Sequence, residues 1–303
     1  MKISIVTLGT CGDVQPYVAP GQGLQRAGHQ VQIVTLANFA PLVQEYGLPF
    51  APLTGDAQEL MRQLIHVGTR NLRFLAGRFE PTRGGRPISM LYAFSSHMVP
   101  QPADWGTPIH ICGYWVLNQP QSWQPPAALR DFLAAGPPPV YVGFGNMAGT
   151  DFDRLTRIVI QAQRISGQRV ILQRGWGGLS GRDDINDMLV IDAVPHDWLF
   201  PQMAAVVHHG GAGTTAAGLH AGVPSIIVPF GFDQPFWGAR LQHLGVSPAT
   251  LSYHTLTAKG LAQAIRRTVG DPQIRAQARR VGECVRAEDG VGRAVAIIEA
   301  ATA

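Results

Sequence analysis

The stretch from Ala204 to Gly245, AAVVHHGGAGTTAAGLHAGVPSIIVPFGFDQPFWGARLQHLG, constrains the fold more than any other part of the chain. Its apolar run Ala204 to Val207 predicts a buried strand that breaks at His208-His209 into a glycine-rich turn, Gly210-Gly211-Ala212-Gly213. Two threonines then open a small-residue helix over Thr214 to Ala221. Glycine lets backbone N–H groups reach a ligand with no Cβ in the way. A helix N-terminus adds unpaired donors and partial positive charge. Strand, glycine turn and helix therefore form an anion cradle suited to a phosphate or pyrophosphate. A second strand, Ser225 to Val228, runs into Pro229-Phe230-Gly231-Phe232-Asp233-Gln234. An acid and an amide thus emerge at a strand's carboxyl end, where open α/β sheets bind ligands. Asp233 accepts from two hydroxyls, and Gln234 both donates and accepts. A phosphate grip beside a polyol grip points to a sugar nucleotide.

A competing pattern overlaps this one. Gly211-Ala212-Gly213-Thr214-Thr215-Ala216 satisfies G-x-G-x-x-A, and Asp233 lies at a spacing that suits a ribose carboxylate. Against a dinucleotide stand the Gln234-Pro235 pair directly after the acid and the late position of the motif.

HHGGAGTT followed by GVPSIIVPFGFDQPFWG resembles the donor-binding block of the family 1 glycosyltransferases, in the sterol and antibiotic glycosyltransferase branch. The resemblance implies an α/β chain of GT-B fold, with two Rossmann-like domains facing across a cleft and the nucleotide sugar held mainly by the C-terminal one. GTCGDVQPYVAPGQGLQRAGHQV, after a first strand at Lys2 to Leu8, is similar to that branch's first motif. The turn after that strand then faces the cleft, with Gly12 among the donor-binding residues and Asp13 in the place of the branch's acid. Two readings of Asp13 stay open: a catalytic base, or an N-cap for the helix that runs to about Ala27. Such a cap stabilises a helix by about 1 kcal/mol. Cys11 replaces the arginine common there, as a small residue in a tight turn rather than a nucleophile. Pro20-Gly21 is expected to break that helix near its middle.

A second helix over Phe39 to Tyr46 and a third strand at Pro49 to Leu53 follow, and then the family pattern fails. Relatives carry several more strand–helix units before the last strands of the N-terminal domain. Here one short segment leads to Ile88 to Val99 and Ile109 to Trp115, which read as those last strands. The expected organisation is a shortened acceptor-side domain over 1–117, a proline-rich linker over 118–139, and a donor-binding Rossmann-like domain over 140–286. A final helix in 287–303 is expected to pack back on the first domain.

Within the donor domain the strand Val140 to Phe144 leads to Gly145-Asn146-Met147, similar to the family's "GSM" turn, with Asn146 in place of Ser. Helix Phe152 to Ser166 and strands Arg169 to Leu172 and Met188 to Ile191 come next. Val194 and His196 stand where relatives hold the uracil, Val194 through backbone and His196 through its side chain; a plain loop histidine is the alternative. Helices over Ala258 to Val269 and Pro272 to Arg286 complete the domain.

The resemblance implies inverting transfer of a hexose, glucose by preference, from a UDP-sugar to a hydroxyl of a lipophilic acceptor. Asp13 would be the base. His209, with Gly211, Gly213, Thr214 and Thr215, would meet the leaving diphosphate, and Asp233 and Gln234 would grip the sugar. His208 packs or pairs structurally. No cofactor or metal is expected, because adjacent His208 and His209 face opposite ways on extended backbone. The alternative is a UDP-sugar-binding protein with little or no transfer activity that needs a partner to complete its acceptor site.

Composition limits partners and compartment. The chain has 303 residues, 46% of them hydrophobic, and a formal charge of +4. Its three cysteines, Cys11, Cys112 and Cys284, form neither a C-x-x-C pair nor a disulfide framework, which favours a reducing cytoplasm. The opening apolar run is too short for a signal peptide, and no stretch approaches the roughly 20 apolar residues of a membrane span. Residues 62–86 hold six arginines and one glutamate, so this segment's +5 exceeds the charge of the whole chain. Leu72, Leu75 and Phe79 give it helical apolar spacing. A solvated face and a peripheral contact with the inner membrane face both fit that pattern. Nucleic acid does not, for want of interleaved aromatics or a known motif. A homo-oligomer is a further way to complete a trimmed acceptor half.

Overall fold

The computed structural model describes residues 1–53, 82–83, 86–106, 108–118, 123–145, 151–174 and 186–301. Most of the basic segment 62–86, and Asn146, lie outside the described residues. The chain divides into two compact units, one formed by Met1–Pro120 with Ala287–Ala303 and the other by Gln121–Arg286.

The first unit opens with β1 (Lys2–Val6), α1 (Cys11–Arg26), β2 (Gln30–Leu36), a turn of 3-10 helix, α2 (Ala40–Glu45) and β3 (Phe50–Leu53). These strands form a parallel sheet in the order β1-β2-β3. α1 does not break at Pro20. Pro20 and Gly21 are both buried, and a Cβ on Gly21 would come within 2.9 Å of Leu48 Cδ1. Close packing against the sheet thus outweighs the backbone bond that the proline removes. A short antiparallel pair follows, β4 (Thr82–Arg83) with β5 (Arg86–Pro87), and then β6 (Met90–Tyr92) pairs parallel with β7 (Ile109–Ile111). The strand expected over Ile88 to Val99 is therefore three residues long. Beyond it the chain turns, with the Met98 amide donating to the Ser95 carbonyl.

The second unit begins inside the proline-rich stretch. α3 (Ala127–Ala134) lies within 118–139, where a linker was expected, and buries Leu129 against Tyr141, Ile171 and Leu199. β8 (Val140–Gly143), α4 (Phe152–Ser166), β9 (Val170–Gln173), β10 (Met188–Ile191), α5 (His196–Leu199), β11 (Ala205–His208), α6 (Ala212–Ala221), β12 (Ser225–Ile227), α7 (Gln234–His243), α8 (Ala258–Gly270) and α9 (Pro272–Arg286) follow. The final helix, α10 (Gly290–Ala300), belongs to the first unit. There Val291, Val295 and Ile298 pack on the core that holds Val18 and Leu24 of α1.

Five parallel strands of the second unit run in the order β10-β9-β8-β11-β12. Their side chains are buried on both faces, as a parallel sheet between helix layers requires. The sequential order reverses between β8 and β11, so the carboxyl ends of these two neighbours form a topological switch point. α6 rises from there and is held against α9 by close backbone approach. A Cβ on Gly282 would come within 2.7 Å of Gly222 Cα and 2.9 Å of the Leu219 carbonyl oxygen. Backbone atoms cannot step aside as a side-chain tip can. Gly282→Ala is therefore expected to destabilise this unit by about 1–3 kcal/mol, read from urea unfolding.

Candidate functional site

β11 ends at His208, and the chain turns through His209 and Gly210 into α6. Gly211 is the N-cap, in extended conformation, so α6 starts at Ala212, two residues before the expected Thr214. Helix geometry leaves the amides of Ala212, Gly213 and Thr214 without an i−4 partner inside the helix. The Thr215 amide is not among these donors, because it bonds to the Gly211 carbonyl at 2.9 Å. Thr215 itself is fully buried, and its Oγ1 has no partner among the described residues. Ala212 carries one of these amides, although its side chain gives no sign of it in the sequence.

His209 fills a slot between two glycines. A Cβ on Gly145, at the end of β8 with φ +63°, would lie 2.9 Å from its Cε1. A Cβ on Gly211 would collide with its Nε2. Only glycine fits either position without moving the ring, so Gly145, His209 and Gly211 converge at the switch point. His209 Nδ1 is buried with no partner among the described residues. Burial lowers its pKa to about 4, partly opposed by the Asp233 carboxylate. The ring that faces the cradle is thus a neutral imidazole, able to donate a hydrogen bond from one nitrogen.

Beneath it lies a second layer of polar groups. His196 opens α5, stacks on Phe200 at 4.3 Å and lies 3.2 Å from the Tyr141 hydroxyl, which itself bonds to Gln173 Oε1. Burial, then His209, lowers its pKa to about 4. Val194 is 8% exposed with its side chain in the core, which leaves its backbone as the part a ligand can reach. His208 is fully buried, and burial, then His209 and His196, hold its pKa well below the usual histidine value.

These shifts predict an acid weakness. The unfolded histidines bind protons from pH 6.5 downward, whereas folded His196 and His209 stay neutral to about pH 4. Stability is complete above pH 6.5 and falls as pH drops toward 4, with a slope approaching about 1.4 kcal/mol per pH unit for each histidine. Urea unfolding of the protein across that range, with proton uptake near two or three, would bear this out; a pH-independent midpoint would refute it.

Asp233 and Gln234 stand at the start of α7. Asp233 is exposed, and its Oδ2 accepts from the Trp237 indole at 2.6 Å. Gln234 is buried, and its Oε1 accepts from the Phe230 amide at 2.7 Å and the Gly231 amide at 3.3 Å. The amide oxygen expected to meet sugar hydroxyls therefore fastens its own loop. Phe232, between Gly231 and Asp233, is held at φ +57°, backbone strain of the kind found where a loop must present a side chain.

In the first unit Asp13 is not the N-cap. Thr10 takes that place, and Asp13 is the third helical residue. Its Oδ2 accepts from the Thr10 amide at 2.7 Å and the Thr10 hydroxyl at 2.9 Å, while its carbonyl accepts from Thr7 at 2.7 Å. No partner holds Oδ1 among the described residues. Gly12, one position earlier, is exposed, and a Cβ there would meet only Thr10 Oγ1 at 3.7 Å, so sterics do not require glycine. Cys11 is kept a thiol by desolvation and by Asp13, both of which raise its pKa. Among the described residues no group of three or more His, Cys, Asp or Glu is placed to hold a metal ion.

Residues 3–80 match the model of the glycosyltransferase family 28 N-terminal domain, and residues 177–296 that of the erythromycin biosynthesis protein CIII-like C-terminal domain. Two sterol 3-beta-glucosyltransferases of Arabidopsis thaliana, UGT80A2 and UGT80B1, are 31% and 30% identical, over 97% of this chain in both cases and over 64% and 67% of their own lengths. The chain belongs to the glycosyltransferase family of these sterol glucosyltransferases.

The chain spans about two thirds of those plant relatives' length, and 27% of a sterol 3-beta-glucosyltransferase of Cryptococcus neoformans. The alignment with UGT80A2 runs over 412 positions, more than the 303 residues of this chain, so the plant enzyme carries segments absent here. Its α/β architecture is the GT-B fold. The kitacinnamycin glycotransferase matches at a TM-score of 0.76 with 19% identity, over 99% of this chain and 98% of that one. VinC, solved in complex with dTDP, matches at 0.69 with 18% identity, over 99% of each chain. No helix among the described residues is long and apolar enough to cross a membrane.

Proposed function

We propose that this glycosyltransferase moves a hexose, glucose by preference, from a UDP-sugar to a hydroxyl of a lipophilic acceptor such as a sterol, with inversion and without a metal. The observation that carries the donor half is the seating of His209 between Gly145 and Gly211, at the switch point and at the mouth of α6. An anion placed there meets the unpaired amides of Ala212, Gly213 and Thr214 and the positive end of the helix dipole. Asp13 takes the proton from the acceptor hydroxyl as the new C–O bond forms at the anomeric carbon. The bond to UDP breaks with its electron pair on the β-phosphate oxygen, where His209 and the amides meet the growing charge. Val194 and His196 border the base, Gly12 adds to the donor site, and Asp233 and Gln234 fix the sugar, Gln234 by holding the loop as much as by direct contact. Asn146 belongs to the same site by its place after Gly145.

A shortened acceptor half is part of this reading, supported by the positions that UGT80A2 has and this chain lacks. So is a cytoplasmic location with peripheral membrane contact through the +5 segment 62–86, and a homo-oligomer as an alternative way to complete the acceptor site. The plant relatives are sterol 3-beta-glucosyltransferases, which gives no support to a binding-only protein. Turnover of UDP-glucose against sterol, polyphenol and macrolide acceptors, run beside a UDP titration by calorimetry, tests the proposal. Glucoside formation with an inverted anomeric centre supports it. Tight UDP binding with no product across the panel would overturn the transfer step.

A further inference from the structure

His208 ends β11 with its whole side chain buried. Its Nδ1 accepts the Gly210 amide at 3.1 Å, across the intervening His209. That bond closes a tight turn in which Gly210 sits at φ +92°, a region open to glycine and few others. Gly210 in turn lies against the neighbouring loop: a Cβ there would come within 3.1 Å of the Gln234 carbonyl oxygen and 2.8 Å of Ile227 Cγ2. Gln234 then holds the Phe230 and Gly231 amides through Oε1. A continuous line of contacts thus runs from the His208 ring through the phosphate turn to the loop that presents Asp233.

We propose that His208 is a positioning residue which, by accepting the Gly210 amide at Nδ1, sets the geometry of both the diphosphate cradle and the sugar-binding loop. The inference rests on the donor-site reading given above. Acceptance at Nδ1 requires the proton on Nε2, and that nitrogen is buried with no partner among the described residues. Leaving a buried donor unpaired is unfavourable, so an apolar side chain would serve better if filling space were all that position needed. The acceptor is what a leucine lacks. A second proton, on Nδ1, would set N–H against N–H. Burial prevents this, aided by the neighbouring imidazoles of His209 and His196.

Three substitutions separate an acceptor from a space-filler. His208→Asn puts an oxygen near the place of Nδ1, His208→Gln puts one near that of Nε2, and His208→Leu keeps only volume. Calorimetry with UDP-glucose should show Leu and Gln weakened by about tenfold or more, the usual effect of stranding a buried amide, and Asn within about threefold of wild type. KM for the donor should rise more than kcat falls in the weakened variants. Folded Leu protein that binds as wild type does, or Asn as weak as Leu, would overturn the role. If the variants do not fold, long-range nitrogen–proton NMR on the wild-type protein decides: the Nε2–H tautomer supports the assignment, and an Nδ1 proton defeats it. Wild type giving no heat with millimolar UDP would instead remove the donor-site reading, while the tautomer still reports whether His208 holds the turn.

Discussion

Asp13→Asn is expected to lower kcat by about a thousandfold, within the range that general-base catalysis supplies, with UDP affinity unchanged. The carboxylate is divided between two tasks. Oδ2 is taken up by the Thr10 amide and hydroxyl, and Oδ1 has no partner among the described residues. Asparagine keeps a carbonyl oxygen for the Thr10 amide, so the helix start survives; it loses only the favourable charge near the helix N-terminus, about 0.3–1 kcal/mol. What it cannot do is accept a proton at neutral pH. Asp13→Ala gives up the helix-start bonds as well and is expected to lose about 1 kcal/mol of stability on top of the base. The pair of variants therefore separates chemistry from capping. An Asn variant within about threefold of wild-type turnover would show that Asp13 only secures the start of α1. Loss of UDP binding together with the fold would say the same.

The second unit was legible where periodicity and caps agree. α4 occupies the predicted Phe152–Ser166, because Phe152, Leu155, Val159 and Ala162 line one buried face between an Asp151 cap and Gly167 in the left-handed region. β10 and α9 likewise match their predicted bounds. The convergence of Gly145 with His209 and Gly211 was foreshadowed by motif, although nothing in their spacing says that two glycines clear room for one ring. Misses came where local signals and tertiary packing disagree. Pro20 reads as a breaker yet sits inside α1, and a proline-rich stretch hid α3. α6 starts early because Gly211 adopts an extended cap, which the run of glycines up to Gly213, a poor helix former, gave no reason to expect. Bonds from side chain to nearby backbone left no periodic trace: His208 to Gly210, Gln234 to its own loop, Asp13 to Thr10. Each changes what a named residue is free to do.

His209→Ala should reduce kcat by about a hundredfold, the loss typical of one oxyanion donor. The case rests on the ring's state as well as its place. Burial holds its pKa at about 4, so in the proposed role it would meet the leaving diphosphate at neutral pH as a hydrogen-bond donor and not as a cation. UDP-glucose affinity should accordingly stay level from pH 6 to 8, where a cationic histidine of ordinary pKa would lose its charge and its grip. Alanine removes the donor and also leaves a gap between Gly145 and Gly211, in which water can replace part of the bond. His209→Gln, with an amide N–H in similar reach, should recover more turnover than alanine does. Ground-state binding of UDP should weaken far less than kcat, since charge on the β-phosphate oxygen peaks as the glycosidic bond breaks. Equal losses in UDP affinity and kcat would make His209 a binding residue alone, and an alanine variant within about threefold of wild type would remove it from the mechanism.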